Sequence, residues 1–152
     1  VSLLATTKMD KPIEEIYIGI DTGVNTGLAA WSKSRKSFIK IETCKIHTAI
    51  MRVLQYFNNP NFRVIRVRVE DARKRSRSKS DPNYYTTLQG AGSVKRDAII
   101  WEDMLKDYAI PYEMVAPQSN TTKTTVEAFK KMTGLYVPSN HSRDAAMLVF
   151  NF

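Results

Sequence analysis

Ile16-Tyr17-Ile18-Gly19-Ile20-Asp21-Thr22-Gly23-Val24-Asn25-Thr26-Gly27 decides how the chain is read. An apolar run ends in one carboxylate and meets a glycine turn at once. Residues 16–21 therefore predict a buried strand whose last residue is an acid. Desolvating a carboxylate there is costly unless something positive meets it. Asp21 asks for a metal ion, a basic side chain or a set of backbone N–H groups. A strand-end Asp before glycine is also an ordinary turn residue, so the rest of the chain has to discriminate.

Working outward, Thr26–Ser32 reads as a second strand, 33–36 as a polar turn and Ser37–Thr43 as a third strand with Phe38 and Ile41 apolar. Short turns between three strands predict an antiparallel meander. From His47 to Phe57 the spacing is helical, with Ile46, Ile50, Val53, Leu54 and Phe57 on one face, and Asn58-Asn59-Pro60-Asn61 stops it. Val64, Ile65, Val67 and Val69 then give a strand ending at Glu70. The intervening helix predicts parallel pairing with the first strand through a right-handed crossover. Residues 71–87 read as a long loop, and Thr87–Ala109 as a long helix with Val94, Ala98, Trp101, Met104, Leu105 and Tyr108 on its apolar side. Tyr112–Ala116 is a fifth strand, Thr124–Met132 a short helix, and Asn140 opens and caps a last helix through Phe152. The expected class is α/β: a five-stranded mixed sheet, three antiparallel strands plus two parallel, with helices on both faces. Residues 1–14 read as a flexible N-terminal extension and 15–152 as a single domain; a start at Met9 would make 1–8 an upstream addition.

The 152 residues carry 23 Lys+Arg against 15 Asp+Glu, a formal net charge of +8. That excess points to a polyanion, most often nucleic acid; the competing reading is a basic protein without one. Cys44 is the only cysteine, which excludes an internal disulfide and a cysteine-based zinc site. Val1–Ala5 is too short for a signal-peptide core, and no apolar run approaches the roughly 18 residues of a membrane span. The expectation is a soluble protein of a reducing, cytoplasmic compartment, without a membrane partner.

Glu70 ends the fourth strand, expected beside the first and parallel to it, so its carboxylate and that of Asp21 share one sheet edge. His141 and Asp144 lie three apart near the start of the last helix and share a face. Three carboxylates and one imidazole suit Mg²⁺ or Mn²⁺. Two such ions about 4 Å apart activate water and stabilise a leaving oxygen in phosphodiester cleavage, with Asp21 as the bridging ligand. Each residue also has a plain reading: a turn Asp, a strand ending at the surface, and residues that favour a helix N-terminus.

Gly19-Ile20-Asp21-Thr22-Gly23 with Thr26-Gly27, Val69-Glu70, Leu88-Gln89-Gly90-Ala91-Gly92-Ser93-Val94, Pro117 with Lys123, and His141-Ser142-Arg143-Asp144-Ala145-Ala146 together resemble the RuvC-like Holliday-junction resolvases of the RNase H-like nuclease superfamily. The resemblance covers Tyr17 to about Phe150. It implies an acidic tetrad for metal-dependent cutting of four-way DNA junctions, leaving 5′-phosphate and 3′-hydroxyl ends, and a two-fold dimer. By motif position Asp21, Glu70 and Asp144 carry over, and the remaining acidic position falls on His141, as in some members. The family's aromatic wedge falls on Arg73, with Tyr84 and Tyr85 as substitutes farther along. Lys123 is implied to help hold the scissile phosphate.

Arg63, Arg66 and Arg68 alternate along the fourth strand, and Arg73, Lys74, Arg75, Arg77 and Lys79 follow. With Lys95, Arg96 and Lys123 they form a surface suited to tracking a DNA backbone without reading its sequence; a charge run is otherwise a solvated face. The competing functions are a nuclease for RNA, flap or other branched DNA, and a DNA-binding relative without catalysis. A sugar-kinase or actin-type phosphotransferase needs a second large domain and another phosphate loop. An aspartic protease is nearly all-β, against the helical periodicity here.

Overall fold

β1 (Glu14–Asp21) is the middle of the molecule. The computed structural model describes residues 11–75, 84–118 and 123–152, and side chains of the long helix from Gly92 onward. β2 (Asn25–Ser32) and β3 (Ser37–Lys45) complete the antiparallel meander, and β4 (Phe62–Glu70) and β5 (Tyr112–Val115) pair parallel on the other side, giving the order β3-β2-β1-β4-β5. α1 (Ile46–Asn58), α2 (Tyr84–Asp107), α3 (Val126–Thr133) and α4 (Asn140–Met147) fill the connections. The mixed five-stranded sheet expected from the sequence is present.

Strand alternation divides the sheet into two unlike faces. Ile16, Ile18 and Ile20 point to one side, where Val64, Val67 and Val69 of β4 join Ala49 and Val53 of α1 and Ala98, Trp101 and Leu105 of α2. The opposite side is a smaller core of Ala29, Trp31, Phe129, Ala145, Ala146 and Val149. α1 and α2 thus cover one face, α3 and α4 the other.

Several boundaries differ from expectation. β1 starts at Glu14, whose N–H donates to Asn61 O at 2.9 Å and whose carboxylate accepts from Arg35 Nε at 2.6 Å, so the sheet includes a residue assigned to the extension. The predicted 71–87 loop is shorter: a 3₁₀ turn occupies Ala72–Lys74 and α2 begins at Tyr84. The last helix stops at Met147 rather than Phe152: the chain goes on in tighter turns, with Leu148 N–H donating to Ala145 O, Val149 N–H to Ala146 O and Phe152 N–H to Val149 O, and Asn151 takes a positive φ of 63°. Arg68 donates to Leu148 O, and Trp31 Nε1 donates to Phe152 O at 3.3 Å. No helix among the described residues is long and apolar enough to cross a membrane.

Candidate active site

The register of β1 against β4 sets Tyr17 beside Arg66, Gly19 beside Arg68 and Ile20 beside Val69. One further step brings Asp21 beside Glu70, both on the α4 face. Thr22 Oγ1 donates to Glu70 O at 3.2 Å and ties the two strand ends together.

α4 reaches those acids because two glycines let it lie on the sheet. A Cβ at Gly27 would stand 1.9 Å from His141 O, and one at Gly19 would stand 2.1 Å from Ala145 O. No side chain fits at either place. Gly27 therefore does more than bound the turn: it admits the N-terminal end of α4 to the edge where Asp21 ends β1. Ser139, not Asn140, caps α4, its hydroxyl accepting from Ser142 N. Thr43 on β3 hydrogen-bonds both Ser139 Oγ and Ser142 Oγ at 2.6 Å, fixing the helix start to the sheet. Arg143 is buried, and its guanidinium donates to Thr124 O at 3.1 Å, Val137 O at 2.8 Å, Pro138 O at 2.9 Å and Asn140 Oδ1. It binds the segment beginning at Lys123 to the helix that carries Asp144.

The four predicted residues meet at this edge. His141 Nδ1 lies 2.8 Å from Asp21 Oδ2, and Lys123 Nζ donates to Asp144 Oδ2 at 2.8 Å. Asp21 is only 5% exposed, and its carboxyl is held above the usual range by burial, with the Asp144 charge adding to it and His141 and Lys123 opposing. Glu70 is also pushed up, first by burial and then by the charge of Asp21. For Lys123, burial works downward, but the hydrogen bond to Asp144 and the charges of Asp144, Glu70 and Asp21 outweigh it, and the ammonium is held above its ordinary value. A cleft of about 120 Å³ opens beside the pair, lined among others by Arg68, Glu70, Lys123 and Asp144.

Two observations pull in different directions. The acids are close enough to raise one another, yet no three His, Cys, Asp or Glu side chains among the described residues gather tightly enough to hold an ion. Asp21 is engaged instead by a hydrogen bond with His141, and Asp144 by an ion pair with Lys123. The donor chemistry still fits a hard divalent ion. Three carboxylates and one imidazole lie along one sheet edge, and two of the carboxylates are raised partly by neighbouring negative charge, the strain that a cation relieves.

The basic residues divide in the same way. Arg63 pairs with Glu15 at 2.7 Å, and Arg66 and Arg68 with Glu113 at 3.4 and 3.2 Å. Arg68 also covers the Phe152 ring at 4.3 Å. Arg68, with its side chain 15% exposed, is thus a fold element, whereas Arg63 and Arg66 are paired but remain open to solvent. Arg73 is engaged by buried Asp71 and by Glu102 at 2.8 and 3.1 Å, and Lys74 donates to Met114 O at 2.7 Å. Arg75, Lys95 and Arg96 are exposed. Arg77 and Lys79 lie outside the described residues, as do the side chains of Tyr84 and Tyr85.

Thr43, Arg143 and the close-approach role of Gly19 and Gly27 escape a reading of the sequence. Arg143 has one available signal, an arginine between two proposed site residues on a short helix. Among known proteins, no family model and no curated sequence matches this chain.

Proposed function

We propose that the protein is a metal-dependent, structure-selective endodeoxyribonuclease of RNase H-like fold that resolves four-way DNA junctions. The observation that carries this reading is the joint arrival of Asp21, Glu70, His141 and Asp144 at one sheet edge, with raised carboxyls and Lys123 among them. The strand order and the placement of acids at the ends of β1 and β4 agree with what the resemblance implies.

In this reading Asp21, Glu70, His141 and Asp144 hold Mg²⁺, with Mn²⁺ able to substitute. Bound there, such ions lower the pKa of a coordinated water and stabilise the leaving 3′ oxygen of the phosphodiester. Burial keeps Asp21 fixed against β2 and α4, so its carboxylate needs little reorganisation. His141 Nδ1 orients that carboxylate from the open side. Lys123 and Arg75 stand where phosphate oxygens would approach, while Lys95 and Arg96 extend the contact along α2. A C₂ pair would give one site for each of two strands. Support for a dimer comes from α2, where Val94, Ile99 and Ile100 are exposed and a Cβ at Gly92 would meet nothing within 4 Å.

Asp21→Asn is expected to lower cleavage of a synthetic four-way junction in Mg²⁺ by roughly 10³-fold or more. Cutting at the wild-type rate overturns the proposal.

One observation favours a second reading. The Lys123–Asp144 ion pair already balances part of the acid cluster, and His141 hydrogen-bonds Asp21, as they would in a DNA-binding relative without catalysis. Calorimetry with Mn²⁺ separates the two: junction binding without heat of metal binding selects the binding module.

A further inference from the structure

We propose that Lys123 is the built-in counter-ion of the acid cluster, and that its ammonium and a divalent ion compete for Asp144. This rests on the metal-site reading above. Lys123 Nζ donates to Asp144 Oδ2 at 2.8 Å, and the same ammonium lies within the field of Glu70 and Asp21. One cation therefore serves three acids, of which Asp21 is almost wholly buried. The Lys123 side chain is 31% exposed and that of Asp144 only 13%, so the pair sits at the rim, where the ammonium has a way out.

The local construction holds this pair closely. Arg143 takes Thr124 O, the carbonyl next in the chain to Lys123, and itself precedes Asp144. One buried side chain thus fixes the backbone on both sides of the ion pair. Without such a cation, Asp21, Glu70 and Asp144 would repel at close quarters, and the edges of β1, β4 and α4 would be pushed apart. With it, the site keeps its shape before metal arrives.

The same contact sets a cost on metal entry. Asp144 Oδ2 accepts from the ammonium and must release it before that oxygen coordinates an ion. The cleft lined by Arg68, Glu70, Lys123 and Asp144 gives the ammonium room to turn away. A phosphate lodged there would hold it in the displaced position. Metal and polyanion binding then favour each other, because each takes one partner of the ion pair.

The test is Lys123→Met, with Lys123→Arg as the charge-keeping control. Thermal unfolding in a chelator measures the counter-ion role, and Mn²⁺ calorimetry measures the competition. Lys123→Met is expected to lower the apo-protein's midpoint by roughly 2–4 °C and to tighten Mn²⁺ binding by about fivefold to tenfold. Lys123→Arg should stay near wild type in both. An unchanged midpoint, or Mn²⁺ affinity that is unchanged or weaker in Lys123→Met, overturns the proposal. If wild type binds Mn²⁺ and the variant binds no tighter, the proposal fails while the metal-site reading stands. If neither binds Mn²⁺, the competition and the metal-site reading fail together.

Discussion

The two faces of the sheet use the same strands for opposite ends. On the α1–α2 face, β1 contributes Ile16, Ile18 and Ile20, all fully buried. On the α4 face the intervening residues are Tyr17, Gly19 and Asp21. The first face is closed by side-chain volume alone; on the second, where Trp31 and Phe129 also pack, α4 lies backbone-to-backbone on Gly19 and Gly27. A core built from large side chains tolerates some repacking. A contact made over missing Cβ atoms has no slack, and that contact holds the end of α4 that carries His141 against the edge where Asp21 lies.

Substitutions on the two faces should therefore fail differently. Gly27→Ala places a methyl group where His141 O now stands. It is expected to cost about 3 kcal/mol, the upper end for overpacking, and to shift α4 enough to reduce junction cleavage by about 10²-fold. Ile18→Ala empties the other core and should cost a comparable amount, roughly 2–5 kcal/mol, with the rate of the folded fraction within about threefold of wild type. Urea unfolding together with cleavage assays on both variants checks this. Equal loss of rate at equal loss of stability would erase the distinction between the faces.

The acids break the comparison in a second way. Burial and neighbouring negative charge raise the carboxyls of Glu70 and Asp21. The folded chain thus holds protons on them at pH values where the unfolded chain has released them. That contribution to stability falls as pH rises from the ordinary carboxylate range through the raised folded values. Glu70→Gln removes the Glu70 share. In chelator at pH 7 the variant should be more stable than wild type by on the order of 1 kcal/mol, screened by the open rim. The gap should close as pH falls below roughly 4, where glutamate is protonated in both states. Urea melts at the two pH values measure it, and a variant less stable than wild type at pH 7 contradicts the electrostatic account. A comparable substitution on the apolar face, Val69→Thr, has no such pH signature.

The same contrast decides how much of the molecule is legible in its sequence. Periodicity locates the strands, because alternation of apolar residues is a local pattern. It also locates Asp21 and Glu70, which end apolar runs. His141 and Asp144 are legible through their spacing. What escapes depends on distant backbone. Gly27 meets His141 O across 114 positions of chain, and no local pattern encodes that approach. Arg143 is not legible because a charged residue on a short helix ordinarily faces solvent; here four acceptors make its burial tolerable. The helix after Asn140 reads too long because the apolar run continues to Phe152, while the backbone there has already tightened into three-residue turns that end at Asn151 with a positive φ.

The basic residues mislead for a related reason, and they give the smallest effect. A run of Arg and Lys in sequence says nothing about which charges are already paired. Arg73, Arg75, Lys95 and Arg96 are all exposed, but Arg73 is tied to Asp71 and Glu102. Arg75→Ala, or Lys95→Ala with Arg96→Ala, should weaken junction binding by a few-fold per charge. The slope of log affinity against log salt should fall by about one for each phosphate no longer neutralised. Stability should be nearly unchanged. Arg73→Ala should do the reverse. It leaves Asp71 buried without its partner and lowers stability by about 1–3 kcal/mol, with the salt slope close to wild type. A filter-binding salt titration beside a urea melt on the same three proteins decides it. If Arg73→Ala flattens the salt slope as much as Arg75→Ala, the paired guanidinium is reaching DNA as well, and the division between fold charges and contact charges on this surface dissolves.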